Sequence, residues 1–316
     1  MAASCSIGGG GNQNVAVSGN GTIYAGNGND RLYISGQGLI VAGNGNDTVD
    51  IGKNDNPHGH GTIIAGSGSD ILTLQMNGLI VAGDGNDTLS INENGTIVAG
   101  NGNTLASLYG HGKIVIGDGN DTLSLYKSGQ IYEHGSNGHD TINVGTGNDT
   151  IYEQGQATVW GSFSHGSFGS ATIDGGELKV LHHGNVTEDI AVSGQMTLLG
   201  SHAHTEFVGG TGSTLMEGGS GHDTFVGGSG QDTMVGTGHH NLFEFLKADH
   251  GGTHVIQNFV SGDQLYVEGH SLSYLQSHHD ITTCGGNTYI SIDGGKTTIE
   301  LQGVTSLKGS DFTTHK

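Results

Sequence analysis

Hydrophobic and polar residues alternate along short segments of the chain, and glycine-rich loops separate these segments. An alternation with a period of two is typical of a β-strand that turns one face to a hydrophobic core. Each segment before a loop has an isoleucine at the same position. Each segment after a loop has apolar residues at two fixed positions. The sequence therefore predicts inward rows formed by Ile23, Ile40, Ile63, Ile80, Ile97 and Ile114, and by the pairs Leu32/Ile34, Val49/Ile51, Leu72/Leu74, Leu89/Ile91 and Leu123/Leu125.

The loops recur at a nearly fixed period. Ala-Gly-Asn-Gly-Asn-Asp begins at positions 25 and 42, and related loops begin at 65, 82, 99 and 116, so the steps are equal except for the longer one from 42 to 65. The longer step contains an insertion at 53–60, interpreted as a protruding loop. Such a repeat indicates stacked coils of two strands each. The predicted fold is all-β, a right-handed parallel β-roll or β-solenoid in which two sheets enclose one apolar layer.

Each loop also has the composition of a cation site. Glycine at the second and fourth positions permits positive φ, which lets successive carbonyl groups point into one space. Aspartate at the sixth position adds a carboxylate where the next strand starts. This all-oxygen ligand set suits Ca²⁺. The alternative is that glycine and asparagine only form tight turns that aspartate caps, but the repetition in register favours stacked Ca²⁺ sites.

Composition narrows the classes of function. The chain has 62 Gly and one Pro without a Gly-X-Y period, which excludes collagen, and its net charge of −21 opposes binding to nucleic acid or anionic lipid surfaces. No apolar run is long enough for membrane insertion, and two Cys exclude a disulfide scaffold. No basic and apolar signal peptide is visible at the start, which leaves the cytosol and a leaderless export route open.

Two consecutive nonapeptides, GGSGHDTFV (218–226) and GGSGQDTMV (227–235), follow GGTGSTLME (209–217). They resemble the repeat of RTX proteins, secreted bacterial proteins whose β-roll binds Ca²⁺. The resemblance implies multiple Ca²⁺ ions as cofactors, held by the sixth-position aspartates Asp30, Asp47, Asp70, Asp87, Asp121, Asp140, Asp149, Asp223 and Asp232. It adds carbonyl groups of the loop glycines Gly26, Gly28, Gly43, Gly45, Gly66, Gly68, Gly83, Gly85, Gly117, Gly119, Gly145, Gly147, Gly219, Gly221, Gly228 and Gly230.

The chain departs from the RTX pattern in two respects. Coils in 20–125 alternate Asp loops with plain turns, which predicts one Ca²⁺ row on a single edge there and rows on both edges only in 209–240. Thr104 stands where the fifth coil should have Asp. The predicted domains are an N-terminal lead-in (1–19), a one-edged Ca²⁺-binding solenoid (20–152), metal-poor coils (153–208), a strict nonapeptide β-roll (209–244) and a C-terminal cap and secretion region (245–316).

The C-terminal segment is similar to the capping and secretion region of RTX proteins, which leave the cell by type I secretion with an uncleaved signal. The resemblance implies an extracellular or cell-surface protein and type I secretion machinery as a partner. No catalytic motif such as His-Glu-x-x-His or Gly-x-Ser-x-Gly occurs. Because repeats and cap occupy nearly the whole chain, we expect no enzyme activity.

One outward row is apolar where a solvated strand would be polar: Tyr24, Val41, Ile64, Val81, Val98 and Val115. Either the chain itself or another copy covers this face. We expect a structural protein that folds on Ca²⁺ after secretion and self-assembles, through this face or the solenoid ends, into a matrix filament or surface layer. The alternative is a Ca²⁺-dependent adhesin for polysaccharide, cells or ice. The 19 His fit either transition-metal binding or scattered surface positions.

Overall fold

The computed structural model describes residues 3–6, 9–52, 59–135, 137–145, 148–152, 156–162, 170–174, 177–183, 188–191, 195–200, 204–249 and 251–313. The chain divides into two compact units, unit 1 (Met1–Thr158) and unit 2 (Val159–Lys316). In both units, short β-strands of two sheets alternate along the chain. The predicted all-β parallel solenoid is confirmed in each unit. The insertion predicted as a protruding loop falls mainly on 53–58, which lie outside the described residues.

In unit 1, the odd-numbered strands form sheet A and the even-numbered strands form sheet B, and neighbours in each sheet are parallel. Sheet A contains β1 (Ala3–Ser6), β3 (Gly21–Tyr24), β5 (Gly38–Val41), β7 (His60–Ile64), β9 (Asn77–Val81), β11 (Gly95–Val98), β13 (Gly112–Ile116), β15 (Gly129–Glu133) and β17 (Asn148–Tyr152). Sheet B contains β2 (Asn14–Val17), β4 (Arg31–Ile34), β6 (Thr48–Ile51), β8 (Ile71–Leu74), β10 (Thr88–Ile91), β12 (Leu105–Leu108), β14 (Thr122–Leu125) and β16 (His139–Val144). The boundary between the units falls within β18 (Gln156–Ser162).

The core of unit 1 is a single layer between its two sheets. Ile23 pairs in register with Ile40, and the same position of sheet A continues as a fully buried isoleucine row. Sheet B contributes two residues per strand, such as Leu32 and Ile34, which are 1% and 0% exposed. The predicted inward rows are therefore confirmed. Each such side chain stabilises the fold by about 1.5–3 kcal/mol through removal of apolar surface from water.

The outer face of sheet A keeps the apolar row that the sequence predicts to point outward. Tyr24 is 44% exposed and Ile64 is 37% exposed, and the valines between and beyond them are partly exposed. The row extends past the predicted end, because Val115 pairs with Tyr132 and Tyr132 pairs with Tyr152. The outer face of sheet B instead carries many hydroxyl side chains, including Thr73 and Ser90. The two outer faces of unit 1 thus differ in polarity.

Unit 2 also contains two sheets. Sheet C contains β19 (Ser170–Asp174), β21 (Glu188–Ala191), β23 (Glu206–Val208), β25 (Thr224–Gly227), β27 (Leu242–Phe245) and β29 (Gln264–Val267). Sheet D contains β20 (Glu177–His183), β22 (Gln195–Leu199), β24 (Ser213–Glu217), β26 (Gln231–Val235), β28 (Thr253–Gln257), β32 (Thr297–Leu301), β31 (Asn287–Ile292) and β30 (Ile281–Cys284). One short helix, α1 (Leu272–Ser277), and the 3₁₀ turns Lys247–Asp249 and Gly309–Asp311 complete the described elements.

The C-terminal end of unit 2 changes strand direction. β28 pairs in parallel with β32, whereas β30, β31 and β32 pair antiparallel to one another. This antiparallel segment covers the edge of β28 and ends the parallel stacking of sheet D, because antiparallel strands return the chain through short turns. The predicted C-terminal β cap is confirmed. The segment 153–208, predicted to be metal-poor coils, contains β18 to β23, and most of its side chains lie outside the described residues.

Aromatic side chains fill the core of the last parallel coils. Phe207, Phe225 and Phe243 occupy the same position in β23, β25 and β27 and are fully buried. Their ring centroids are 5.3 Å and 4.9 Å apart, and both pairs are stacked. These distances follow from the spacing of about 4.8 Å between neighbouring strands. Unit 2 therefore has a phenylalanine ladder where unit 1 has isoleucine.

Candidate metal centre

A row of buried aspartates runs along the edge where unit 1 passes from sheet A to sheet B, named here the loop edge. Each six-residue loop ends at its aspartate, and a sheet B strand starts at or next to it. Because the strands of sheet B are in register, the aspartates of successive coils lie above one another. The row contains Asp30, Asp47, Asp70, Asp87, Asp121 and Asp140, each at most 3% exposed.

One carboxylate oxygen of these aspartates connects neighbouring coils. The backbone N–H of Asp30 donates to Oδ1 of Asp47 at 2.8 Å, and that of Asp47 donates to Oδ1 of Asp70 at 2.8 Å. The same bond joins Asp70 to Asp87 at 2.9 Å. The second oxygen, Oδ2, is buried and has no hydrogen-bond partner in Asp30, Asp47, Asp70, Asp87 and Asp121. A buried carboxylate oxygen without a partner is costly, so the row is suited to a bound cation.

The raised pKa values of the aspartates in the row also indicate a place for a cation. The pKa of Asp70 is raised to about 7, mainly by burial and to a smaller extent by the neighbouring charges of Asp47 and Asp87. Burial also raises the pKa of Asp121 to about 7 and of Asp140 to about 6. A raised carboxyl pKa means that the surroundings disfavour the charged form. A divalent cation beside the row would reverse this balance, because it supplies the positive charge that these groups lack.

The glycines let the loops stack closely, for two different reasons. At the fourth position, Gly45 has φ of 129°, a region that favours glycine, and a Cβ there would overlap the carbonyl oxygen of Gly28. At the second position, positive φ occurs at Gly43 but not at Gly83, so this expectation was wrong for most second positions. Gly83 is needed instead because a Cβ would overlap the carbonyl oxygen of Gly66.

Thr104 interrupts the row at the predicted position. Its side chain is 2% exposed, and its Oγ1 atom is buried. Its backbone N–H donates to Oδ1 of Asp121 at 2.6 Å, the same bond that the backbone N–H of Asp30 forms with Asp47. The stacking of the loops therefore continues through Thr104, whereas the row of carboxylates does not.

Asp149 lies on the opposite edge of unit 1, where the chain returns from sheet B to sheet A. It belongs to β17 of sheet A, and its Oδ1 accepts the backbone N–H of Gly129 at 2.8 Å. Burial raises the pKa of Asp149 to about 7. Gly145 belongs to the same turn, while the predicted ligand Gly147 lies outside the described residues. Asp140 and Asp149 belong to the tandem nonapeptides GSNGHDTIN (135–143) and VGTGNDTIY (144–152), and their spacing of nine residues thus places them on different edges.

In unit 2, Asp223 and Asp232 lie on different edges as well. Asp223 ends a loop that leads from sheet D to sheet C, and its Oδ1 accepts the N–H of Thr205 at 3.0 Å. Asp232 belongs to β26 of sheet D. Each aspartate has one buried oxygen without a partner. The other oxygen of Asp232 lies 3.0 Å from Nδ1 of His254, which occupies the next position of that row.

Two further members of the Asp223 row were missed in the sequence. The N–H of Asp223 donates to Oδ1 of Asn241 at 3.0 Å, and the N–H of Asn241 donates to Oδ1 of Asp263 at 2.8 Å. Both residues are 1% exposed. Their loops, GTGHHN (236–241) and NFVSGD (258–263), keep the six-residue length and a polar last residue. This length and the polar last residue could have identified both loops in the sequence, but the first loop lacks Asp and the second lacks most of the glycines.

The ligand set of these rows is made of oxygen. Within the described parts of the chain, no three His, Cys, Asp or Glu side chains converge on one point. A Ca²⁺ ion at the rows would therefore take one or two carboxylates and complete its shell with loop carbonyl groups. Ca²⁺ accepts six to eight oxygen ligands in flexible geometry, including backbone carbonyls. The residues present thus fit Ca²⁺ in kind, and they offer no nitrogen or sulfur at the aspartate rows of unit 1.

Stacked parallel coils, glycine-rich loops and buried aspartate rows define a calcium-binding repeat solenoid. The family of the RTX calcium-binding nonapeptide repeat matches the chain in four copies, at residues 15–33, 134–152 and 208–238. The chain therefore carries RTX calcium-binding repeats, as its nonapeptides predict, and Ca²⁺ is the ion that these repeats bind. The matches include the loops of Asp30, Asp140, Asp149, Asp223 and Asp232.

Among solved structures, the chain is similar to the extracellular lipase of Serratia marcescens, with 15% sequence identity and a TM-score of 0.26. The similarity covers 85% of this chain and 45% of the lipase, so this chain spans less than half the length of that protein. No curated protein matches the chain. RTX repeat proteins are typically secreted through type I systems. None of the helices in the described residues is long and apolar enough to cross a membrane.

Proposed function

We propose that this protein is an extracellular calcium-binding structural protein that folds on Ca²⁺ after secretion and assembles with copies of itself. The observation that carries the proposal is the loop edge of unit 1, where five buried aspartates each have an oxygen without a partner. These aspartates, the tandem aspartates Asp140 and Asp149, and the carbonyl groups of the loop glycines are the proposed Ca²⁺ ligands. In unit 2 the proposed carboxylate ligands are Asp223 and Asp232.

Ca²⁺ would supply the charge that makes this edge stable. Without a cation, the −21 chain repels itself, and the buried aspartates lose the water that would solvate their charge. A ligand present at 1,000 times its Kd stabilises the folded state by about 4 kcal/mol for each site. Several such sites would supply much of the stability of a domain. The low Ca²⁺ of a cytoplasm would then keep the chain unfolded for type I export, and extracellular Ca²⁺ would fold it.

Circular dichroism of the full chain tests this folding step. The strand signal and a cooperative thermal transition are expected in millimolar Ca²⁺ and are expected to disappear when EDTA removes the ion. Mg²⁺ at the same concentration is the control, because its smaller size and stricter octahedral geometry suit carbonyl-lined loops poorly. A strand signal that EDTA does not change would contradict Ca²⁺-driven folding.

For assembly, we propose the apolar outer face of sheet A in unit 1 as the contact between copies. It combines the row from Tyr24 to Val115 with a neighbouring row that includes Leu39 and Leu79. The face is built of repeated residues at the strand spacing, and a second copy of the same face offers equal spacing. Burial of the two rows removes apolar surface from water, which is the main favourable term in association.

Light scattering in Ca²⁺ tests assembly through this face. The wild type is expected to form particles larger than a monomer, whereas the double variant Val81→Lys with Val98→Lys is expected to stay monomeric. The matched control is Thr73→Lys with Ser90→Lys, which places two lysines on the outer face of sheet B. A wild type that stays monomeric at high concentration would refute self-assembly, and equal assembly of both variants would refute the proposed face.

The second candidate is a Ca²⁺-dependent adhesin. It is supported by the neighbouring row of the same face, in which Thr22, Thr62 and Thr96 alternate with Leu39 and Leu79. Hydroxyl and apolar groups in one regular array can contact the polar and apolar parts of a polysaccharide, a cell surface or ice. A monomeric wild type that sediments with polysaccharide in Ca²⁺, but not in EDTA, would favour this function over assembly. Neither candidate includes an enzyme activity.

A further inference from the structure

Three histidines of unit 2 form a ladder on the edge where the chain passes from sheet D to sheet C. His204, His222 and His240 are the fifth residues of loops 200–205, 218–223 and 236–241. Their ring centroids are 5.0 Å apart between His204 and His222 and 5.3 Å apart between His222 and His240. All three side chains are exposed. The stacking of the coils, and not proximity in sequence, brings these imidazoles together.

The ladder takes the place of an asparagine ladder in unit 1. There, Oδ1 of the fifth-position Asn29 accepts the backbone N–H of Asn46 at 2.8 Å, and Asn103 accepts the N–H of Asn120 at 2.9 Å. In unit 2, Nδ1 of His204 lies 3.1 Å from the backbone N of His222 and 2.9 Å from its carbonyl oxygen, so this ring nitrogen contacts the backbone of the next coil. An imidazole nitrogen thus occupies the place of an amide oxygen. Asparagine would suffice for the stacking, so histidine adds a second ring nitrogen that the fold does not require.

We propose that the ladder of His204, His222 and His240 binds a divalent transition-metal ion of the Zn²⁺ or Ni²⁺ class. Imidazole is a preferred ligand of these ions, whereas Ca²⁺ takes oxygen ligands. The site is therefore chemically separate from the aspartate rows. The central residue, His222, has a neighbour on both sides and contributes to every pair of adjacent ligands. Water completes the coordination of the ion.

The spacing of the rings permits this coordination without movement of the backbone. Zn–N bonds of about 2.0–2.1 Å place two nitrogens of a tetrahedral site about 3.3 Å apart. The rings are inclined to one another as they stand, and no three ligating side chains of the described residues converge. Because these residues are exposed, rotation about their side-chain torsions turns one nitrogen of each of two neighbouring rings toward the other. The centroids of the closer pair of rings, His204 and His222, are 5.0 Å apart. In the next coil Gly262 occupies the position after His240, so the ladder ends at His240 on this side.

Isothermal titration of the full chain with Zn²⁺, in saturating Ca²⁺, tests the proposal. His222→Asn is expected to weaken Zn²⁺ binding at least about tenfold, because loss of the central ligand removes both adjacent pairs. The asparagine side chain retains an oxygen that can accept a backbone N–H of the neighbouring coil. Unit 1 has asparagine at this loop position. The control is His278→Asn with His279→Asn, which removes two exposed imidazoles beside α1 and is expected to leave the Zn²⁺ affinity unchanged.

The outcomes separate this proposal from the proposed function. Equal Zn²⁺ affinity in the wild type and H222N, or no Zn²⁺ binding by the wild type, overturns the metal site. An equal loss in H222N and in the control pair also overturns it, because binding would then follow the number of histidines. Circular dichroism of H222N in Ca²⁺ checks that the fold is retained. A strand signal that does not depend on Ca²⁺ contradicts the proposed function and leaves the Zn²⁺ comparison valid.

Discussion

Unit 1 and unit 2 build coils from the same loop but use different coil lengths and different cores. In unit 1 the register pairs Ile23 with Ile40, and the core rows are aliphatic. In unit 2 the register pairs Phe225 with Phe243, so the coil is longer by a single residue, and the core contains stacked rings. In unit 1 the six-residue loops of the repeat lie along one edge through most of the unit, whereas in unit 2 such loops lie on both edges.

The two units depend on different sources of stability. The loop edge of unit 1 has six aspartates and Thr104 in one row, so it concentrates buried negative charge. The rows of unit 2 contain fewer carboxylates, because Thr214, Asn241 and His254 take positions in these rows. Unit 2 instead buries large aromatic surface. We therefore expect unit 1 to depend more on Ca²⁺ and unit 2 to depend more on its apolar core.

The phenylalanine ladder of unit 2 is the feature whose loss we expect to destabilise the protein most. Phe225→Ala removes the central ring, which stacks on both neighbours, and should destabilise unit 2 by about 3–5 kcal/mol. Ile97→Ala in unit 1 should cost about 2–5 kcal/mol, because an isoleucine leaves a smaller cavity. Urea unfolding in saturating Ca²⁺ measures both. If Ile97→Ala is clearly the more damaging, the core of unit 2 does not have the importance assigned to it.

A smaller effect is expected when one charge is removed from the loop edge. Asp70→Asn keeps an acceptor for the N–H of Asp47 but loses the carboxylate, so the stabilisation gained on adding Ca²⁺ should fall by about 1–3 kcal/mol. Thermal unfolding with and without Ca²⁺ measures this gain.

Asp84→Asn is the matched control for that variant. Asp84 lies at the exposed third position of its loop, where its Oδ1 accepts the N–H of Asn101 at 2.8 Å. Other coils have Asn44 and Asn101 at this position, so the change should leave the Ca²⁺-dependent gain nearly unaltered. Equal losses in both variants would mean that overall charge, and not the buried row, determines the response to Ca²⁺.

A still smaller effect is expected when an aspartate is added at the interrupted position of the loop edge. Thr104→Asp places a carboxylate between Asp87 and Asp121, where the side chain is 2% exposed. Without Ca²⁺ the variant should be less stable than the wild type by about 1–2 kcal/mol, because another buried charge lacks a partner. With Ca²⁺ it should bind at least one more ion, as equilibrium dialysis measures. Unchanged Ca²⁺ stoichiometry would show that Thr104 does not interrupt the ion row.

Much of the fold could be predicted because each coil repeats the same local rules. Period-two alternation identified the inward residues, and the loop spacing identified the stacking. Asn241 and Asp263 could not be predicted from the sequence, because their loops lack the full glycine pattern and only the register of β27 and β29 places them in the Asp223 row. The role of second-position glycines was also misjudged, since close approach of neighbouring loops constrains Gly83, while its own φ is ordinary.

The repeat, the apolar layer and the carboxylates at the loop ends can be derived from the sequence alone, because they follow from spacing and residue type within each coil. The oxygens that lack partners are known only from the packing of the coils, since the N–H that donates to one oxygen of Asp70 belongs to Asp47 in another coil. The packing of the coils also brings three histidines from successive coils into one ladder. Contacts between coils depend on register, and register is fixed by the packing of the whole stack.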